Sequence, residues 1–119
     1  MVCAIVVSVS ILSCSKGKDD VGTDDLYYVK YKISSKMYFY IDGVSYNTED
    51  GSRSVNLAAA GTFEEVVGPV NRGFVARISI TSHRGAPASD ATKIYISKNN
   101  GPFALKAYGM YGASYTIDF

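Results

Sequence analysis

The chain is expected to be all-β: an antiparallel, immunoglobulin-like β-sandwich of about seven to eight strands, following a signal segment and a flexible linker. Three observations predict it. Apolar and polar residues alternate at period two in short runs such as Tyr27–Ser34 and Phe74–Thr81, as in strands with one buried face. Turn-forming groups recur between the runs: Asp42-Gly43, Asp50-Gly51, Gly68-Pro69 and Asn99-Asn100-Gly101. The composition holds 10 Tyr and 5 Phe, types that favour strands, and no stretch sustains the 3.6-residue period of a helix. A small barrel is the alternative architecture. No Cys…Trp…Cys pattern is present, so a true immunoglobulin domain is not indicated.

The first segment, 1–13, is expected to be a signal peptide. Val2 to Leu12 is apolar except for Ser8 and Ser10. A run of roughly 11 residues is too short to span a bilayer, which needs about 20, and has the length of a signal h-region. Met1-Val2-Cys3-Ala4 carries no Lys or Arg, so either the start lies upstream or the amino terminus alone supplies the positive end. Ile11-Leu12-Ser13-Cys14 resembles a bacterial lipobox: an aliphatic residue three before the cysteine, a small one before the cut, then the thiol that accepts a diacylglyceryl group. Leu12 is bulkier than usual. The resemblance implies acylation, palmitate included, at Cys14 and a lipoprotein held at the membrane through that residue. Each buried CH₂ contributes about 0.8 kcal/mol, so two or three chains hold firmly where one does not.

Residues 14–25 form the expected lipidated linker. Gly17, Gly22, Lys16, Lys18, Asp19, Asp20, Asp24 and Asp25 leave Val21 as its one large apolar residue, too few to fold alone. Its root-mean-square span would be roughly 18 Å. Lys18-Asp19-Asp20 resembles the charged export signal of Bacteroidota-type surface lipoproteins, which implies a bacterial outer-membrane location with surface exposure.

Residues 26–119 form the expected sandwich domain. Tyr27, Val29, Tyr31 and Ile33 share one face of a first strand, with Tyr28, Lys30, Lys32 and Ser34 on the other. Met37–Ile41 is a second. Asp42-Gly43 then predicts a tight hairpin with both residues at positive φ, leading into Val44-Ser45-Tyr46. Asp50-Gly51 predicts another. Arg53–Ala60 is a weaker strand whose Leu57–Ala60 end could instead make a helical turn. Thr62–Val67 is a strand ending at Gly68-Pro69. Phe74–Thr81 alternates most clearly. Ser82–Asp90 is expected to be the longest loop. Thr92–Ser97, Phe103–Ala107 and Tyr115–Phe119 complete the set, with turns at Asn99–Gly101 and Gly109–Gly112. The predicted core is Val29, Tyr31, Ile33, Phe39, Ile41, Phe74, Ala76, Ile78, Ile80, Ile94, Ile96, Phe103, Leu105 and Ile117.

Three stretches, Leu26–Tyr31, Val67–Phe74 and Asn100–Ala107 with Ser114–Ile117, resemble small Bacteroidota-type lipoproteins of unassigned function that carry a single β-sandwich. The resemblance spans most of the mature chain, is structural in its motifs, and implies no catalytic site.

Net charge is +1, which argues against a nucleic-acid partner bound through phosphates. Cys3 falls in the signal and Cys14 would be acylated, leaving no disulfide, cysteine nucleophile or cysteine metal ligand in the domain. One histidine, His83, lies among Ser82, Arg84, Ser89 and Asp90. A Ser/His/Asp hydrolase is formally possible there, but no G-x-S-x-G framing exists and such loops are mostly turn chemistry. Zinc needs three or four ligands, usually His or Cys. Asp42, Asn47, Glu49 and Asp50 offer hard oxygens to calcium without a D-x-[DN]-x-[DN]-G loop, and serve their turns better. No cofactor is expected.

The strongest surface feature is aromatic. Tyr28, Tyr38, Tyr40 and Tyr95 have Lys30, Lys32, Lys36 and Lys93 as neighbours. On one sheet face they would form an amphipathic platform for sugar rings or a protein partner. Cross-strand pairing that only stabilises the sheet is the plainer alternative. The expected function is therefore a lipid-anchored envelope binding or interaction module without enzymatic activity. The alternatives are an accessory subunit of a larger envelope complex, or a hydrolase using the His83 loop.

Overall fold

A computed structural model describes residues 25–34 and 37–119. The expected signal segment, Cys14, most of the linker and Lys36 lie outside the described residues.

Eight antiparallel strands form two packed sheets. They are β1 Tyr27–Ile33, β2 Tyr40–Thr48, β3 Gly51–Ala60, β4 Phe63–Val70, β5 Val75–Arg84, β6 Thr92–Lys98, β7 Ala104–Gly109 and β8 Gly112–Thr116. Sheet I has the order β4-β1-β6-β7 and sheet II the order β3-β2-β5-β8. The β-sandwich expected from the sequence is present. Its strand order is not the ABED/CFG order of an immunoglobulin constant domain, since the last two strands lie in different sheets.

Period-two patterning builds the core. Along β1, Tyr27, Val29, Tyr31 and Ile33 are wholly buried while Tyr28, Lys30 and Lys32 point outward. Ile94 and Ile96 of the neighbouring β6 extend this inner row, and Ile41, Val44 and Tyr46 of β2 with Ala76 and Ile78 of β5 meet it from sheet II. Each such aliphatic or aromatic side chain contributes roughly 1.5–3 kcal/mol relative to exposure. Phe74 and Ile80 pack on this core while half-buried. Buried hydroxyls are satisfied locally: Ser97 Oγ donates to the Gly101 carbonyl at 2.6 Å, and Thr92 Oγ1 to that of Met110 at 3.4 Å.

Tyr31 ties the two sheets. From β1 its hydroxyl donates to the Asn47 carbonyl at 2.7 Å and accepts from the Arg77 N–H at 3.3 Å, both in sheet II. Its ring centroid lies 5.4 Å from that of Tyr46.

Asp42-Gly43 makes no hairpin. β2 continues through it with register shifts against both β3 and β5, and Gly43 is not at positive φ. The pair instead faces a bulge in β3. Ile41 is opposite Ala60 and Gly43 opposite Asn56, so Leu57, Ala58 and Ala59 oppose Asp42 alone. Ala58 and Ala59 take φ of 52° and 62° there. Asp42 Oδ1 accepts from the Ala59 N–H at 2.9 Å, and Arg84 Nε reaches Oδ2 at 3.2 Å. The helical turn considered for Leu57–Ala60 is likewise replaced by this bulge. Gly43 is close to Thr81: a Cβ there would lie 2.7 Å from Thr81 Oγ1, so any larger residue must displace that side chain. Gly43→Val is expected to cost about 1–3 kcal/mol as an overpacked site. Adding Thr81→Ala should recover part of it, measured by urea unfolding of both variants.

A hairpin is present next to Asp50-Gly51, but its turn is Glu49-Asp50 between the paired Thr48 and Gly51, and only Gly51 of the expected pair has positive φ. β4 does not stop at Gly68-Pro69. Those two residues oppose Tyr28 alone, a bulge on an edge strand, where proline's missing N–H leaves no ladder position empty. β5 continues to Arg84, so His83 belongs to a strand opposite Ile41 and the loop begins at Gly85. β8 ends at Thr116, so Phe119 is not the last residue of a strand. Its ring lies instead 5.5 Å from that of Tyr27, edge to face.

Candidate binding face

The outer face of sheet I carries the aromatic residues that the core does not use. β1 presents Tyr28, Lys30 and Lys32 there. The ladders place Val66 of β4 and Tyr95 of β6 on either side of Lys30, and Glu64 and Lys93 on either side of Lys32. Beyond β6, Leu105 faces Tyr95 and Tyr108 faces Lys93 on β7. Val66, Leu105 and Tyr108 are 47%, 46% and 64% exposed. A solvated sheet face is ordinarily polar, and contiguous exposed apolar residues mark interaction surfaces.

Lys30 sits at the centre. Its Nζ is 4.8 Å from the Phe103 ring centroid and 5.2 Å from that of Tyr95. Each cation–π contact is worth about 0.5–1 kcal/mol at an exposed site. The contacts hold the ammonium over the face.

Phe103 is placed by the turn before it. Asn99 and Asn100 take φ of 51° and 63° between Lys98 and Gly101, whose N–H donates to the Lys98 carbonyl at 2.9 Å. Asparagine tolerates this left-handed backbone. The chain then runs through Gly101-Pro102 before β7 begins, leaving Phe103 beside the strand ends. Between this turn and the β4 bulge lies a shallow depression of about 300 Å³, lined by Tyr28, Val66, Ser97, Asn100, Gly101 and Phe103.

Asp25 fixes the start of the domain near the same turn. Its carboxylate accepts from Asn99 Nδ2 at 2.8 Å, with Lys98 Nζ at 3.5 Å and Arg72 at 4.0 Å. The Asn99 hydrogen bond is the main cause that holds its pKa below the usual carboxylate value; desolvation, next in size, opposes it, and Lys98 and then Arg72 add to the lowering.

The four tyrosines expected to form one platform do not share a face. Tyr28 and Tyr95 do, with Lys30, Lys32 and Lys93. Tyr40 opens β2 in sheet II opposite Arg84, and Tyr38 stands before it at φ 66°, 76% exposed. In their place are Phe103 and Leu105, which the sequence assigned to the core. The β6–β7 register shifts between Ile94 and Tyr95, so Lys106 is an extra residue on β7. A one-residue shift reverses the facing of all that follows, turning Ala107 inward and Leu105 outward. No residue type near Lys106 signals this.

His83 lies at the opposite end of the sandwich. Its ring is 5.8 Å from Phe39 and 5.0 Å from Tyr111, and Nδ1 is 2.9 Å from the Gly85 carbonyl. Ser82, its neighbour in an extended strand, points to the other side of the sheet. Asp90 pairs with Lys93 at 3.8 Å. Among the described residues His83 makes no hydrogen bond to a serine or aspartate. The four candidate calcium ligands are also dispersed: Asp42 holds the β3 bulge, Asn47 Nδ2 donates to the Val75 carbonyl at 2.9 Å, and Glu49 accepts from Gly68 N–H at 3.3 Å. Among the described residues, no group of three or more His, Cys, Asp or Glu could hold a metal ion.

Fold and face together define a small all-β sandwich domain with an aromatic and lysine-bearing sheet surface. Comparison with known proteins finds no matching family model, no matching curated protein and no matching solved structure.

Proposed function

We propose that this chain is a lipid-anchored protein of the bacterial cell envelope, held at the outer membrane through Cys14, with a non-enzymatic binding module as its sandwich. The module's working surface is the outer face of sheet I. The observation that carries this reading is the exposed cluster around Lys30. A sandwich already closed by its inner rows has no structural need of Phe103 and Leu105 in solvent beside the half-buried Tyr95. The lipobox-like Ile11–Cys14 supports a lipid anchor. The partner is a protein or a glycan. The extent of exposed apolar side chain along β7 also favours a second reading, an accessory subunit seated permanently on a larger envelope complex.

Two measurements test the proposal. Cys14→Ala should abolish incorporation of labelled palmitate and membrane retention while leaving the circular dichroism spectrum unchanged; a variant still labelled and retained defeats the anchor. Phe103→p-benzoylphenylalanine should give a discrete photo-adduct in intact cells, whereas the same substitution at Ser54, exposed on β3 of sheet II, should give none. Equal labelling from both positions, or none from Phe103, defeats the face.

A further inference from the structure

We infer that the depression beside Lys30 receives the carboxylate-bearing ring of an acidic glycan, an inference that rests on the outer face of sheet I being the working surface. Its shape and its charge both support this. Tyr28 and Phe103 wall it with aromatic surface, and Val66 adds an aliphatic side. The C–H faces of a pyranose pack on such surfaces, and its hydroxyls stay at the wet rim. The volume of about 300 Å³ lies at the lower end of small-ligand sites, typically about 300–1,000 Å³, and suits a ring or two better than a folded segment. Asn100, exposed at the turn, offers an amide donor and acceptor to ring hydroxyls.

Charge selects among sugars. None of the lining residues is a carboxylate. Lys30 stands opposite Val66 and over Phe103, at the rim of the depression. Among the described residues it has no ion-pair partner, whereas Lys93 is engaged by Asp90 and Lys98 by Asp25. Lys30 is thus a positioned cation beside an aromatic slot, with no carboxylate partner among the described residues. A uronic acid presents a carboxylate at the edge of the same ring whose face would stack. A neutral sugar would leave Lys30 unused.

Calorimetric titration of the intact protein at low ionic strength tests this, with oligogalacturonate and oligomannuronate against neutral galactan and mannan oligosaccharides of equal length. At least one acidic oligomer should bind ten-fold or more tightly than its neutral counterpart, and added salt should weaken it. Lys30→Gln should remove most of that difference. Arg77→Gln, exposed on β5 of sheet II and outside this face, should change affinity less than two-fold. Equal binding of neutral and acidic oligomers, unaffected by Lys30→Gln, overturns the acidic preference while leaving the face as a sugar platform. Binding of anionic lipid vesicles with no oligosaccharide bound overturns the glycan. No binding by any of the four oligomers also overturns the inference, and the photo-adduct from position 103 then decides separately whether the face itself survives.

Discussion

Tyr31→Ala is expected to lower the unfolding free energy by about 3–5 kcal/mol, the cost of deleting a buried aromatic ring. Tyr31→Phe should cost about 1–3 kcal/mol, because it keeps the ring but strips a partner from two sheet II groups. The Asn47 carbonyl would lose its 2.7 Å donor and the Arg77 N–H its 3.3 Å acceptor. Urea unfolding of both variants measures the difference. The phenol adds a pH signature. Burial, the dominant cause, raises its pKa well above the ordinary value near 10, the Arg77 hydrogen bond opposing this and Tyr46 adding to it. The unfolded chain therefore releases this proton near pH 10 while the folded chain keeps it. The stabilisation is complete below that pH and declines as pH rises through the alkaline range. Tyr31→Phe should show a shallower alkaline decline than the parent; equal slopes would remove the phenol from this account.

Truncation after Thr116 is expected to be as damaging. Ile117 is 1% exposed, and Ile117→Ala alone should cost about 2–5 kcal/mol. The Ile117 N–H donates to the Phe74 carbonyl at 3.0 Å, and its carbonyl accepts from the Gly73 N–H at 2.8 Å. These bonds close the β4–β5 connection. The Phe119 ring packs on Tyr27 and lies 4.1 Å from Lys106 Nζ, and its carbonyl accepts from the Tyr27 hydroxyl. Removing the three residues leaves that buried hydroxyl unpaired and opens the end of the sandwich. Domains of this size are stable by roughly 5–15 kcal/mol, so the truncated chain should be marginal at 37 °C. A melting temperature within a few degrees of the parent would show the segment to be an appendage.

The inner rows were legible in the sequence because period two maps directly onto burial. Val29, Tyr31, Ile33, Ile78, Ile94 and Ile96 are buried as the alternation predicts. Tyr27, Val44, Tyr46, Phe63, Val67 and Val70 join the core without having been expected there, some inside stretches that looked like turns or strand ends. The irregularities were not legible. Asp42-Gly43 and Gly68-Pro69 have the composition of turns, yet both sit opposite or within bulges that a partner strand imposes. Whether such a pair reverses the chain or absorbs a bulge depends on a strand distant in sequence. The candidate face was half legible for the same reason. Tyr28 and Tyr95 were found because β1 and β6 are regular, while Phe103 and Leu105 were hidden by the extra residue at Lys106. Tyr40 was misassigned because sheet membership is a matter of topology, and alternation along one strand does not carry it.

The central claim is that the fold is complete without the outer face of sheet I, which is kept for binding. Urea unfolding of the double variant Phe103→Ser/Leu105→Ser tests it most directly. The account predicts a loss below about 2 kcal/mol, the Lys30–Phe103 contact and the partly covered side chains included, with an unchanged m-value. A loss of about 3 kcal/mol or more, on the scale of a core deletion, would make these side chains part of the structure and contradict the claim.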